Sequence, residues 1–99
     1  MSSGVSRVRT GSVNGTGSAI DVEVVGFRPQ RVVLENVGGL VKATWNRDMA
    51  DASACKVVTA GTISLITSNG ITPLANGFTI GADSDINASG ELIHWTAFE

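Results

Sequence analysis

The run Asp83-Ser84-Asp85-Ile86-Asn87 has the alternating oxygen-bearing side chains that hard cations favour in a loop. The rest of a helix-flanked calcium loop is missing, since its turn glycine would fall at Ala88 and its bidentate glutamate at His94. A polar turn is expected there, with a looser oxygen site between strands as the alternative, and no metal ligand or cofactor is assigned. His94 is the only histidine, so any Ser/His/Asp or Cys/His device would have to be built on it. Set between Ile93 and Trp95 in an alternating segment, it reads as a structural or interface residue. Cys55, beside Ala54 and Lys56, lacks the electropositive setting that activates a thiol and reads as a small buried hydrophobe. Gly15-Thr16-Gly17 resembles the opening of a dinucleotide loop, but Ile20 stands at the third glycine position. Asp83, Asp85 and Glu91 are explained as solvent-facing charge. No catalytic residue is assigned, and an enzyme is not expected.

The elements that must carry these residues follow from composition and period. Ninety-nine residues form one domain, and 42% apolar against 16% charged residues describes a chain that folds. The net charge is −2, and the Lys and Arg residues are spread singly from Arg7 to Lys56, so no direct nucleic-acid partner is expected. A single cysteine excludes an internal disulfide, and no apolar run approaches the roughly eighteen residues of a spanning helix, so no membrane partner is expected either. The opening residues lack the hydrophobic segment of a secretory signal. Asn87-Ala88-Ser89 matches a glycosylation acceptor only by letter, since a chain expected to stay in a cytoplasm has no route to the transferase.

The dominant period is two. Residues 1–12 read as an N-terminal arm or first strand, and residues 13–99 as a single β-sandwich domain. Asn14-Gly15 predicts a tight hairpin turn. Ile20, Val22 and Val24 alternate with Asp21 and Glu23 as a half-buried strand, and Gly26-Phe27-Arg28-Pro29 breaks it as a corner. Arg31 to Glu35 and Leu40 to Trp45 are strands, the latter with Val41, Ala43 and Trp45 on one face, joined by the turn Asn36-Val37-Gly38-Gly39. The alanine-rich stretch Asn46 to Cys55 admits a short helical turn capped by Asn46. Lys56 to Ala60 and Thr62 to Thr67 return to strand, Ser68-Asn69-Gly70 predicts a turn, and Gly70 to Asn76 with Pro73 reads as loop or edge. Gly77 to Gly81 and His94 to Phe98 read as a closing hairpin around the polar Asp85 to Gly90 turn. Leu92, His94, Thr96 and Phe98 share one face of that last strand; Ile93, Trp95 and Ala97 share the other. Trp45, Trp95, Phe27, Phe78 and Phe98 are core anchors first and partner platforms second. The fold class is all-β: an antiparallel β-sandwich or jelly-roll-like barrel of about seven to eight short strands.

Gly77-Phe78-Thr79-Ile80-Gly81, Asp85 to Gly90 and His94-Trp95-Thr96-Ala97-Phe98, together with Gly26-Phe27-Arg28-Pro29 and Arg31-Val32-Val33-Leu34, resemble small β-domains of tailed-bacteriophage virion proteins. The resemblance covers residues 20 to 45 and 77 to 99. It implies a virion structural protein made in the host cytoplasm, without enzymatic activity. The expectation is a capsid decoration or cement protein that docks on the major capsid protein as a homo-oligomer, with a trimer favoured. The alternative is a receptor- or glycan-binding module of a tail fibre or baseplate. Arg7 and Arg9, in a Ser/Gly/Arg-rich terminus that can order on docking, are interface candidates together with His94, Trp95 and Phe98 of the final strand.

Overall fold

Period-two alternation is realised as eight strands in the computed structural model, which describes residues 7–99. They are β1 (Val8–Asn14), β2 (Ile20–Val22), β3 (Arg31–Asn36), β4 (Val41–Asn46), β5 (Ser53–Val57), β6 (Ile63–Leu74), β7 (Gly77–Ile80) and β8 (Leu92–Phe98). Every pairing is antiparallel, and the strands join into one sheet in the order β1-β8-β3-β4-β5-β6-β7-β2. Strands β3 to β7 form a meander. The sheet curls on itself, because Phe78 of β7 meets Trp95 of β8 edge-to-face, ring centroids 5.5 Å apart, although four strands lie between them in the sheet. The architecture is therefore a half-barrel, one curled antiparallel sheet of eight strands.

Alternate side chains of each strand fill the interior: Val32 and Leu34, Ala43 and Trp45, Phe78 and Ile80, Ile93, Trp95 and Ala97. Long connections close the two ends. The β2–β3 connection crosses the basal end and inserts Val25 and Phe27, while the β7–β8 connection crosses the apical end and inserts Ile86. The Gly26-Phe27-Arg28-Pro29 corner is present, with Gly26 at φ 86°, a left-handed geometry that glycine adopts without strain.

The expected closing hairpin is not formed. Strand β7 pairs with β6 and β2, and β8 pairs with β1 and β3, so Phe78 and Trp95 meet across the interior and not side by side. Glycine-aromatic patterning marked two core strands correctly but carried no information on their partners. The Asn14-Gly15 hairpin is also absent. Asn14 lies opposite Leu92, β2 is at the other edge of the sheet, and Gly15 instead exchanges backbone bonds with the β7–β8 connection through Glu91 and Gly90. Residues Val8–Asn14 are a strand, so the boundary drawn at residue 12 falls inside β1. The first six residues of the proposed arm lie outside the described residues.

No helix forms between Asn46 and Cys55. Asn46 Oδ1 accepts from the Asp48 N–H at 3.0 Å, the chain turns, and Ala52 at φ 65° leads into β5. Ser68-Asn69-Gly70 does not end a strand either. Strand β6 runs through it, with Asn69 at φ 59°, and the β5 ladder jumps from Ala54↔Ile66 to Ser53↔Ile71. The first half of β6 thus pairs with β5 and the second half with β7, so the dipeptide makes the corner about which the sheet curls. Pro73 is tolerated in β6 because the β5 ladder reaches no further than Ile71, leaving a neighbour on one side only. Strand β2 stops at Val22, which leaves Val24 exposed and turns Val25 inward instead.

Candidate functional site

The apical end holds the densest polar network. Lys56 sits in β5 on the same face as Ala54, and its Nζ donates to Asp83 Oδ1 at 3.1 Å, Asp83 Oδ2 at 3.0 Å and Asp85 Oδ2 at 2.8 Å. The Lys56 side chain is only 12% exposed and that of Asp83 15%. The hydrogen bond to Asp85, then those to Asp83, hold the ammonium above the ordinary lysine range against the opposing effect of desolvation. Asp83 also caps its own turn, accepting from the N–H groups of Asp85 and Ile86. The carboxylates expected to face solvent or a cation thus have a cation supplied by the chain itself.

Two buried asparagines complete this end. Asn87 Oδ1 accepts from Thr16 N–H at 2.9 Å and Gly17 N–H at 3.4 Å, and its Nδ2 donates to the carbonyls of Ser18 at 2.7 Å and Gly81 at 2.9 Å. Asn36 Nδ2 donates to the Asp85 carbonyl and to Glu91 Oε1, while its Oδ1 accepts from Gly38 and Gly39. No buried side-chain nitrogen or oxygen among the described residues lacks a partner. The Asn87 side chain is engaged by Thr16, Gly17, Ser18 and Gly81, and no group of three or more His, Cys, Asp or Glu side chains is placed to hold a metal ion among the described residues. The fully buried Asn87 amide is also out of reach of a glycosyltransferase.

The five interface candidates lie on or beside the neighbouring strands β1 and β8 but do not share one face. Arg7 pairs with Glu99 through two side-chain bonds and lies over the Phe27 ring, 5.1 Å from its centroid. That hydrogen-bonded pairing raises the Arg7 pKa and lowers that of Glu99, but the pair is exposed and screened. Arg9 is exposed on β1 beside the groove of about 330 Å³ between the two sheet edges, β1 and β2. Trp95 floors that groove with 3% exposure, and a Cβ at Gly11 would come within 2.5 Å of its ring. The buried indole leaves no surface for a partner. His94 is exposed on the outer face, opposite Glu35 and Ser12. Phe98 is half-buried beneath the Arg31 guanidinium, 5.5 Å from its ring centroid. Cys55 is also on the outer face but three strand spacings from His94, about 14 Å, so the two are not brought together.

Two features were not read from the sequence. At the apical tip between β3 and β4, Leu40 has a left-handed backbone, φ 56°, and is 67% exposed. It borders a cleft of about 560 Å³ with Val37, Val41, Val57 and Val58, walled by Glu35 and Lys42. At the basal end the fold gathers arginines that are dispersed in sequence: Arg7, Arg28, Arg31 and Arg47 surround the β2–β3 connection. The dispersal in sequence concealed both, because each depends on which strand ends meet.

No helix among the described residues is long and apolar enough to cross a membrane. The fold and these surfaces define a small antiparallel half-barrel. No protein-family model matches the chain, and no curated protein or solved structure matches it.

Proposed function

We infer that the protein is a structural subunit that works by surface contact: a decoration or cement protein of a tailed-bacteriophage capsid, docking as a homo-oligomer, a trimer, on the major capsid lattice. The sequence resemblance supplies the particle, and the Leu40 tip supplies the contact. An L-residue other than glycine in left-handed geometry costs about 1–2 kcal/mol, and a leucine side chain held in water returns none of it within its own subunit. Burial against a neighbour would return about 1.5–3 kcal/mol per side chain. The adjoining cleft offers apolar walls together with one acid, Glu35, and one base, Lys42, so a second copy of the chain related by symmetry would bring an apolar side chain and an opposite partner for each charge. Three copies gathered at these tips would form the docking unit.

The test is sedimentation equilibrium of the wild type and Leu40→Asn, followed by co-sedimentation of each with decoration-free capsid shells and with isolated tails. The wild type should self-associate and bind shells. The variant, relieved of backbone strain, should melt no lower than the wild type and remain monomeric and unbound. A wild type that stays monomeric at high concentration, or a variant that associates unchanged, refutes the contact. Binding to tails and not to shells would replace decoration with a receptor-binding role.

A further inference from the structure

The basal end carries a second cleft, independent of the Leu40 tip. Its floor is apolar and buried, formed by Pro29, Trp45 and Pro73, and its rim carries the exposed Arg28, Arg47 and Asp51. Its volume is about 280 Å³, close to the lower bound of about 300 Å³ for small-molecule pockets and suited to one sugar-sized unit. The rim is held in place by the backbone. The Arg47 N–H donates to the Gln30 carbonyl at 2.8 Å, which ties the two arginine-bearing loops together. Trp45 Nε1–H donates to the Ala50 carbonyl at 3.1 Å and fixes the turn that ends at Asp51.

The two cations on this rim are unengaged. Arg7 is occupied by Glu99 and Phe27, and Arg31 by Phe98, whereas Arg28 and Arg47 have neither a carboxylate nor a ring partner among the described residues. Asp51 stands on the same rim without forming an ion pair with either. Two arginines lining a shared cleft are suited to an oxyanion, because a guanidinium presents paired donors in a planar fork. The carboxylate beside them sets the kind of anion. It repels a dianion such as phosphate more strongly than a monoanion, and it accepts a hydrogen bond from a hydroxyl.

We propose that this cleft binds a small hydroxylated carboxylate of the uronic-acid type, its acid group held by Arg28 and Arg47 and a neighbouring hydroxyl donated to Asp51. The apolar floor excludes water from one side of the ligand. The site reads the ligand's charge and its hydroxyl together, so a neutral sugar or a bare anion fills only half of it.

The experiment is a nuclear magnetic resonance titration of the whole chain with D-glucuronate, D-glucose and inorganic phosphate. It is read at the Trp45 indole N–H, with the Trp95 indole N–H as internal reference. Glucuronate should give a saturable shift at Trp45 alone, and Arg28→Gln or Arg47→Gln should each weaken it about tenfold without changing the melting temperature, since both side chains are exposed. Asp51→Asn should raise the affinity for phosphate relative to glucuronate. Leu40→Asn, at the other end of the molecule, should leave the titration unchanged, which separates this site from the assembly contact. Absence of a saturable shift overturns the proposal. So does an equal response to glucose, an equal response of the wild type to phosphate, or a response that survives both arginine substitutions.

Discussion

Asn87 ties its own β7–β8 connection, at the start of which Gly81 lies six residues away, to the β1–β2 loop at Thr16 to Ser18, about 70 residues distant in the chain. Its amide is used on both sides, so Asn87→Ala strands backbone groups of two loops in a buried place. The substitution should cost about 3 kcal/mol, read as a shift of the urea midpoint at constant slope. A loss below about 1 kcal/mol would mean that water takes over the amide's role. Lys56 answers the same need for charge. Replacing it by methionine leaves Asp83 and Asp85 without their cation and should cost about 2 kcal/mol at neutral pH. The wild-type pH dependence has a definite sign, because the folded-state pKa of Lys56 is raised. Its contribution is complete below the ordinary lysine value of about 10.4 and is lost as pH climbs through the higher folded value. Urea midpoints collected up to pH 12 should therefore fall at the alkaline end more steeply for the wild type than for Lys56→Met, and parallel curves would exclude the assignment. The oxygen-rich residues of this end were visible in the sequence, but their function was not. Their partners are a lysine 27 positions away and backbone groups about 70 positions away, separations over which local pattern says nothing.

At the scale of elements, the corner in β6 decides whether the sheet can curl. Asn69 holds a left-handed φ that asparagine tolerates and β-branched residues do not. Asn69→Val should cost about 1–2 kcal/mol, whereas Asn69→Gly should be nearly neutral. Equal stability of the two variants in thermal melts would show that the corner is not set by this residue. Strand existence was largely legible here, because alternation such as Val32, Leu34 or Ile93, Trp95, Ala97 reports a buried face directly. Strand partnership was not. Gly77 to Ile80 and Leu92 to Phe98 follow one another in sequence with a turn between them, yet the loop between them is occupied in capping the barrel and lets β8 travel to the far side of the sheet. The Asn-Gly signal at residues 69–70 marked a left-handed backbone at Asn69 that bends β6 without reversing a hairpin, whereas neither Asn14 nor Gly15 adopts a positive φ and the hairpin expected there is absent.

A single sheet links all eight strands of the described residues. Strand β8 lies between β1 and β3 and contributes Ile93, Trp95 and Ala97 to the interior, so removing residues 92–99 leaves β1 unpaired, bares one side of β3 and opens the core. The shortened chain should show no cooperative melting transition by circular dichroism, and a sharp transition would mean that the β3 to β7 meander folds by itself. Arginine segregation to the basal end emerges only at this scale, since it depends on strand direction and not on spacing. Another consequence of the same pairing concerns chain order. The Glu99 N–H donates to the Arg7 carbonyl at 2.8 Å, so first and last described residues sit on neighbouring strands, a gap of about 5 Å that a few glycines bridge. A circular permutant of residues 7–99 alone, joined there and opened in the exposed Thr59-Ala60-Gly61 turn, would keep every strand pairing while placing its new ends on the apical side. A reporter fused to the permutant would project from the apical end, and one fused after Glu99 from the basal end, giving a single scaffold two opposite directions of display.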